Sequence, residues 1–181
     1  MNTPTGIIPA VRRMKDLEKA LESRHEWIVI LESRLGQLNG LVKYVKKAKK
    51  KVLLHIDLIK GLKADEYGVE YLAHEIKPDG IVTTRASVVE LVKKRNILAI
   101  QRVFLLDSLS LENNIRIGNR YQPDSIELLP GKIPEVIETI REQTEIPIIA
   151  SGLITTDEDI ELALKAGAAA VSTSTKELWQ V

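Results

Sequence analysis

The 181 residues, 44% hydrophobic and 28% charged, have the composition of one soluble globular domain spanning residues 1–181, long enough to bury a substantial core. A net charge of +1 excludes a global electrostatic drive toward nucleic acid or membrane, and the absence of cysteine excludes disulfides, thiolate zinc sites and cysteine nucleophiles. One Phe and two Trp leave little for aromatic base stacking, and no apolar run nears the roughly 20 residues of a membrane span, so no membrane partner and a cytoplasmic location are expected.

Ile7 to Val11 is a short apolar run, followed by Met14, Leu17 and Leu21 at helical spacing within Arg12 to Arg24. Trp27 to Leu31 reads as a second strand, ending in Glu32-Ser33-Arg34. Leu38, Leu41, Val42 and Val45 mark a helix with a lysine-rich tail, Lys46 to Lys51. Val52 to Leu58 is a third strand and Leu62 to Ile76 a helix. The turn Pro78-Asp79-Gly80 announces a fourth strand, Ile81 to Thr84, and Val88, Val89, Leu91 and Val92 give the next helix. Ala99 to Leu105 is the fifth strand. From Asp107 to Gln122 the pattern weakens to a short helix followed by irregular chain. Ser125 to Leu129 is the sixth strand, stopped by Pro130-Gly131, and Pro134 to Arg141 is a helix with proline in its first turn. Ile146 to Ala150 and Ala168 to Val171 are the seventh and eighth strands, joined by one helix.

Strict strand–helix alternation argues a parallel sheet with crossover helices. Eight units favour a small (β/α)8 TIM-like barrel, parallel strands with truncated helices, over a flavodoxin-like or Rossmann-like sheet. The units are short, roughly 23 residues each, where a typical barrel has about 250 residues in all. No Gly-x-Gly-x-x-Gly follows the first strand.

Barrel strands are buried on both faces and should read apolar, so their polar residues carry information. By alternation His55 and Asp57 share one face and point into the mouth, and Glu127 also points inward. Gln101 and Arg102 must point opposite ways, and an inward Arg102 would pair with Glu127 or Asp57. Thr83, Thr84, Arg85, Glu32 and Arg34 fall at the same rim. These residues are either a structural ion pair with satisfied core groups or a polar cup for a small hydroxylated anion. His55, Asp57 and Glu127 could also act as general acids and bases. Their spacing fits no strong metal motif, and no metal or other cofactor is implied.

Two turns complete the cup. Ser151-Gly152-Leu153-Ile154 follows strand seven and Ser172-Thr173-Ser174-Thr175 follows strand eight. Each is read as opening a helix, whose free N–H groups and dipole suit an anion, and the last two loops of a (β/α)8 barrel often hold phosphate. Simple capping is the competing explanation: Ser174 to Glu177 and Thr156 with Asp159 both resemble capping boxes. Two basic runs, Lys46, Lys47, Lys49, Lys50 and Lys51 with Lys43 before them, and Lys93, Lys94 and Arg95, lie at helix C-termini. There they either complement the helix dipole or form a phosphodiester-binding patch at the opposite end of the barrel.

The motifs HIDLIKGL (His55 to Leu62), KPDGIVTTR (Lys77 to Arg85), IQRVFLLDS (Ile100 to Ser108), PDSIELLPG (Pro123 to Gly131), ASGLI (Ala150 to Ile154) and AGAAAVSTSTKELW (Ala166 to Trp179) follow one another along nearly the whole chain. In this order the chain resembles the glycerol-3-phosphate-responsive antiterminator family, the glycerol uptake operon antiterminator regulatory proteins. The resemblance implies a TIM-like barrel with glycerol 3-phosphate as its effector. It also implies a regulator that acts on the leader mRNA of glycerol-utilisation genes and lets transcription pass a terminator. On this chain, phosphate would meet N–H groups near Gly152 and Leu153 and near Ser172, Thr173 and Ser174. The hydroxyls would meet His55, Asp57, Glu127 or Arg102, with Lys60 helping to anchor the anion. Ala150-Ser151-Gly152 stands where the family is expected to favour two glycines, and Ser151 would add a hydroxyl beside the phosphate or restrict the turn. A regulator with ligand and RNA at opposite ends would need coupling through the barrel or through a homo-oligomer interface. The competing reading is a phosphosugar enzyme, an isomerase, aldolase or phosphodiesterase, with His55 and Glu127 as its acid–base pair.

Overall fold

The computed structural model describes residues 3–179, and of residues 108–111 and 114 the backbone alone. Eight strands close into an all-parallel barrel: β1 (Gly6–Val11), β2 (Trp27–Ile30), β3 (Lys51–His55), β4 (Gly80–Thr83), β5 (Leu98–Phe104), β6 (Ser125–Leu129), β7 (Ile148–Ser151) and β8 (Ala170–Thr173). Each strand pairs with its neighbours in sequence, and β1 closes the ring against β8, with Gly6 opposite Ala170 and Pro9 opposite Thr173. The small (β/α)8 architecture expected from the alternation is therefore the observed one.

The helices are short: α1 (Leu17–Glu22), α2 (Leu38–Lys47), α3 (Glu66–Tyr71), α4 (Ala86–Lys94), α5 (Ser108–Tyr121), α6 (Pro134–Arg141) and α7 (Asp157–Lys165). Several differ from their sequence pattern. A 3-10 turn, Met14–Asp16, takes the start of the first expected helix, and a π-helical turn, Leu72–Ile76, takes the end of the third. The weak segment after Asp107 is one helix of 14 residues, not a short helix with irregular chain. Its polar sequence hides a packed face: Ile115 is buried, and a Cβ on Gly118 would lie 3.1 Å from Ile126 Cδ1. Tertiary packing here overrides weak propensity.

Alternation sorts the strand side chains into two sets. Ile8, Ala10, Trp27, Val29, Leu53, Val82, Leu98, Ile100, Ile149 and Ala170 fill the barrel. Their neighbours Ile28, Ile30, Leu54, Ile81 and Ala99 pack outward with Leu38, Val42, Leu72, Val88 and Val92 of the helices. Two further rim segments, Ser33–Arg34 and Ile59–Lys60, form a short parallel pair of their own, with Arg34 opposite Lys60. Among the described residues no helix is long and apolar enough to cross a membrane.

Candidate ligand site at the barrel mouth

The inward set turns polar toward the C-terminal ends of the strands. Ile100 points in, so Arg102, two residues on, also points in and Gln101 points out toward the helices. Arg102 lies opposite Glu127 in the β5–β6 register. Its Nε donates to Glu127 Oε2 at 2.7 Å and its Nη2 to Oε1 at 3.2 Å. Ser151, at the end of β7, donates its hydroxyl to the same Oε1 at 2.7 Å. Glu127 and Ser151 are buried, so this cluster is the floor of the site. A carboxylate has about four acceptor positions and a guanidinium five donors. Three hydrogen bonds into Glu127 and two from Arg102 leave the floor about one acceptor position and three donors.

Above the floor is a cavity of about 120 Å³. Its walls come from β1, β2 and β5 to β8 and the loops that follow them: Ala10, Arg12, Leu31, Leu129, Gly152, Leu153, Ile154, Ser172, Thr173 and Ser174 join the floor residues. This volume is well below that of a pocket for drug-sized ligands, which confines any ligand to a small molecule.

The turn after β7 has two successive left-handed residues, Gly152 (φ +76°) and Leu153 (φ +62°). Positive φ in a leucine is uncommon, and with Leu153 69% exposed no burial accounts for it. The N–H groups of Gly152, Leu153 and Ser174 have no acceptor among the described residues. Gly131 fixes the turn from beneath, because its N–H donates to Ser151 O and Gly152 O, and a Cβ there would sit 2.4 Å from Ser151 N. The β8 end is tied to the same turn, since Thr173 and Thr175 donate their hydroxyls to Ile154 O at 2.8 and 3.2 Å.

These contacts correct how the two turns work. Helix α7 starts at Asp157, past the first turn, and is closed by a real capping box: Thr156 Oγ1 accepts from Asp159 N at 3.2 Å, and Asp159 Oδ2 accepts from Thr156 N at 3.1 Å. Asp157, Glu158 and Asp159 also put negative charge in its first turn, so this N-terminus repels an anion. Lys132, 2.9 Å from Asp159, holds that carboxyl well below the usual carboxylate range, with the Thr155 N–H adding to the effect. The second turn opens only a 3-10 turn, Lys176–Trp179, and Ser172 and Thr173 lie on β8 itself. The 3-10 turn starts at Lys176, the Thr175 hydroxyl before it bonds Ile154 O, and among the described residues no side-chain hydrogen bond joins Ser174 to Glu177, so these residues form no capping box. What suits an anion here is free loop N–H groups and arginines, not helix dipoles.

The other residues singled out in the sequence lie elsewhere. β3 ends at His55, and Asp57 sits in a 3-10 turn, Ile56–Leu58, so the two do not share a strand face. Asp57 Oδ2 accepts from Thr83 Oγ1 at 3.0 Å and Thr84 N at 2.8 Å, and Arg85 Nε is 3.5 Å from Oδ1, which knits two rim loops together. His55 is 2% exposed, and its Nδ1, 3.8 Å from Asp57, has no hydrogen-bond partner among the described residues. Burial, reinforced by the Arg102 charge and opposed by Glu127 and Asp57, pulls its pKa down to about 4, so it is neutral. Neither residue lines the cavity, and Lys60 belongs to the separate rim groove beside Arg34. No group of three His, Asp or Glu among the described residues could hold a metal ion.

Arg12 was missed. It follows directly on β1, and the rule that functional residues stand at C-terminal strand ends would have found it. Its Nε is 3.9 Å from Glu32, and the side chain is 68% exposed above the cavity.

At the opposite end most of the basic-run cations already have partners. Lys46 donates to Lys77 O at 2.7 Å, and Lys50 donates to Ser23 O and to His25 O. Lys51 pairs with Glu26 at 2.8 Å and stands over the Trp27 ring. Lys93 donates to Gln122 O, Lys94 pairs with Glu90 at 2.8 Å, and Arg95 is 3.9 Å from Glu70. Lys47 and Lys49 are exposed without such partners.

Residues 7–179 match the family described as glycerol-3-phosphate responsive antiterminator. A crystal structure of a glycerol uptake operon antiterminator regulatory protein from Listeria monocytogenes is similar at 45% identity, with a TM-score of 0.94 over 98% of this chain and 96% of that one. A glycerol uptake operon antiterminator-related protein from Thermotoga maritima is similar at 30% identity and a TM-score of 0.88, over 98% and 99%. The uncharacterized protein YgcP of Escherichia coli K12 is 32% identical over 173 residues, 96% of this chain and 91% of that protein.

Proposed function

Because the chain belongs to the glycerol-3-phosphate responsive antiterminator family, we propose that it senses glycerol 3-phosphate in the mouth cavity and, when loaded, acts on the leader mRNA of glycerol-utilisation genes. The observation that carries the ligand half is the cavity's division of labour. One wall offers the unpartnered N–H groups of Gly152, Leu153 and Ser174, with Arg12 above them. The floor offers the remaining donors of Arg102, the remaining acceptor position of Glu127 and the hydroxyls of Ser151 and Ser172. Phosphate takes the first set and glycerol hydroxyls the second.

The same contacts favour a sensor over a catalyst. Glu127 is held as the counter-ion of Arg102, and His55 does not reach the cavity that Glu127 faces. The proposed acid–base pair of a phosphosugar enzyme thus does not converge on one ligand.

Calorimetry and thermal unfolding test the ligand half. Ligand at 100 times its Kd stabilises the native state by about 2.7 kcal/mol, or roughly 5–11 °C for a chain of this size. No heat and no shift up to millimolar glycerol 3-phosphate refutes the reading. The RNA half predicts that the leader transcript binds more tightly in the presence of ligand. By linkage, the transcript must then raise ligand affinity by the same factor.

A further inference from the structure

The expected phosphodiester patch is the pair of basic runs at the bottom of the barrel, yet most of their cations are bonded to the chain's own carbonyls and carboxylates. The rim shows the reverse. In the short parallel pair after β2 and β3, Arg34 and Lys60 are direct register partners. Strand spacing puts their backbones about 4.8 Å apart. Both are exposed, and neither has an acidic or hydrogen-bonding partner among the described residues. Like charges placed directly opposite on neighbouring strands repel. The carboxylate that lines the same groove, Glu32, lies 3.9 Å from Arg12 Nε. Arg34 and Lys60 line an open groove of about 370 Å³ with Met14, Glu32, Ser33 and Gln37, on the same rim as the ligand cavity.

We propose that this rim groove, with Arg34 and Lys60 as paired phosphate contacts, is where the RNA backbone docks, so that RNA and small ligand share one end of the barrel. The inference rests on the RNA reading given above. A phosphodiester supplies the anion that an uncompensated cation pair lacks, and each cation it neutralises releases condensed counterions. The position also shortens the coupling route. Arg12 lines the ligand cavity and its Nε is 3.9 Å from Glu32 of the groove, so the two sites meet at one rim ion pair. Coupling then needs no transmission through the barrel.

The test is fluorescence anisotropy of the leader transcript of the organism's own glycerol-utilisation genes, at saturating glycerol 3-phosphate and several salt concentrations. The Arg34→Gln, Lys60→Gln double variant is expected to lose about tenfold or more in affinity, and its log K against log salt slope should flatten by about 1.4–1.8. Lys47→Gln with Lys49→Gln, at the opposite end, should change neither. An unchanged double variant, or a loss confined to the Lys47 and Lys49 variant, overturns the proposal while leaving the RNA reading intact. Wild-type protein that binds glycerol 3-phosphate in calorimetry but not the transcript refutes the RNA reading and this docking site together. A second calorimetric equivalent of glycerol 3-phosphate that Arg34→Gln removes would assign the groove to the small ligand instead.

Discussion

Replacing His55 by glutamine isolates one buried titration. In the folded chain His55 has a pKa of about 4, against 6.5 for the unshifted side chain, because burial and the Arg102 charge outweigh Glu127 and Asp57. The unfolded chain therefore binds the proton first as pH falls, and stability is lost from about pH 6.5 down to about 4, then levels off. With these two values the loss between pH 7 and pH 5 is about 2 kcal/mol, or roughly 4–8 °C in melting temperature. Urea unfolding followed by the fluorescence of the buried Trp27 and Trp179 measures it at each pH. Glutamine keeps a polar side chain but does not titrate, so His55→Gln should show about 2 kcal/mol less pH dependence, whatever its stability at pH 7. His25, whose pKa is lowered by burial and by Arg24 and Lys50, adds dependence of the same sign and cancels in the comparison. Holding to pH 5 and above keeps most carboxylates charged. Equal pH dependence in wild type and variant would refute the account of His55 as a neutral buried group.

Glu127→Ala strands Arg102 without its counter-ion and should cost about 3–5 kcal/mol in urea unfolding. Replacing both partners, Glu127→Leu with Arg102→Met, should recover much of that stability yet abolish ligand heat, which separates the structural from the recognition role. Gly131→Ala drives a Cβ into Ser151 N and Ala150 C, at 2.4 and 2.7 Å, and backbone cannot yield cheaply. A loss of about 1–3 kcal/mol is expected. With it should go ligand heat at concentrations that saturate the wild type, because the Ser151–Gly152 turn must move.

The barrel was legible because alternation repeats along the whole chain and because β6 and α6 carry complete signals. Ser125 to Leu129 is bounded by Pro130-Gly131, Pro134 opens its helix, and both elements run as the sequence suggests. Glu127 was legible for the same reason, since a charge on an otherwise buried strand has to find a partner. Residues where local geometry breaks the period were not legible. The 3-10 turn after His55 removes Asp57 from the strand face, and nothing in the apolar run from Val52 to Leu58 announces it. The anion-friendly helix ends were misread through position in the fold, although the sequence held the correction. Asp157, Glu158 and Asp159 fill the first turn of the helix whose N-terminus was read as favouring an anion.

The Arg102–Glu127 pair also bears on selectivity. An unpaired arginine on the floor of the cavity would attract any small anion, inorganic phosphate included. Pairing it with Glu127 removes most of that net attraction and leaves a floor that needs a donor as well as an acceptor from its ligand. On the proposed reading, inorganic phosphate held at the loop N–H groups brings no polyol hydroxyl to the remaining acceptor of Glu127. A carboxylate desolvated without a donor is costly. The proposed polyol phosphate would satisfy both ends, its hydroxyl donating to Glu127 and accepting from Arg102. On the proposed reading the site would discriminate through the group it leaves unpaired, a stronger basis for selection than shape alone. The same pair that fixes β5 to β6 would then set the condition under which the cavity is filled.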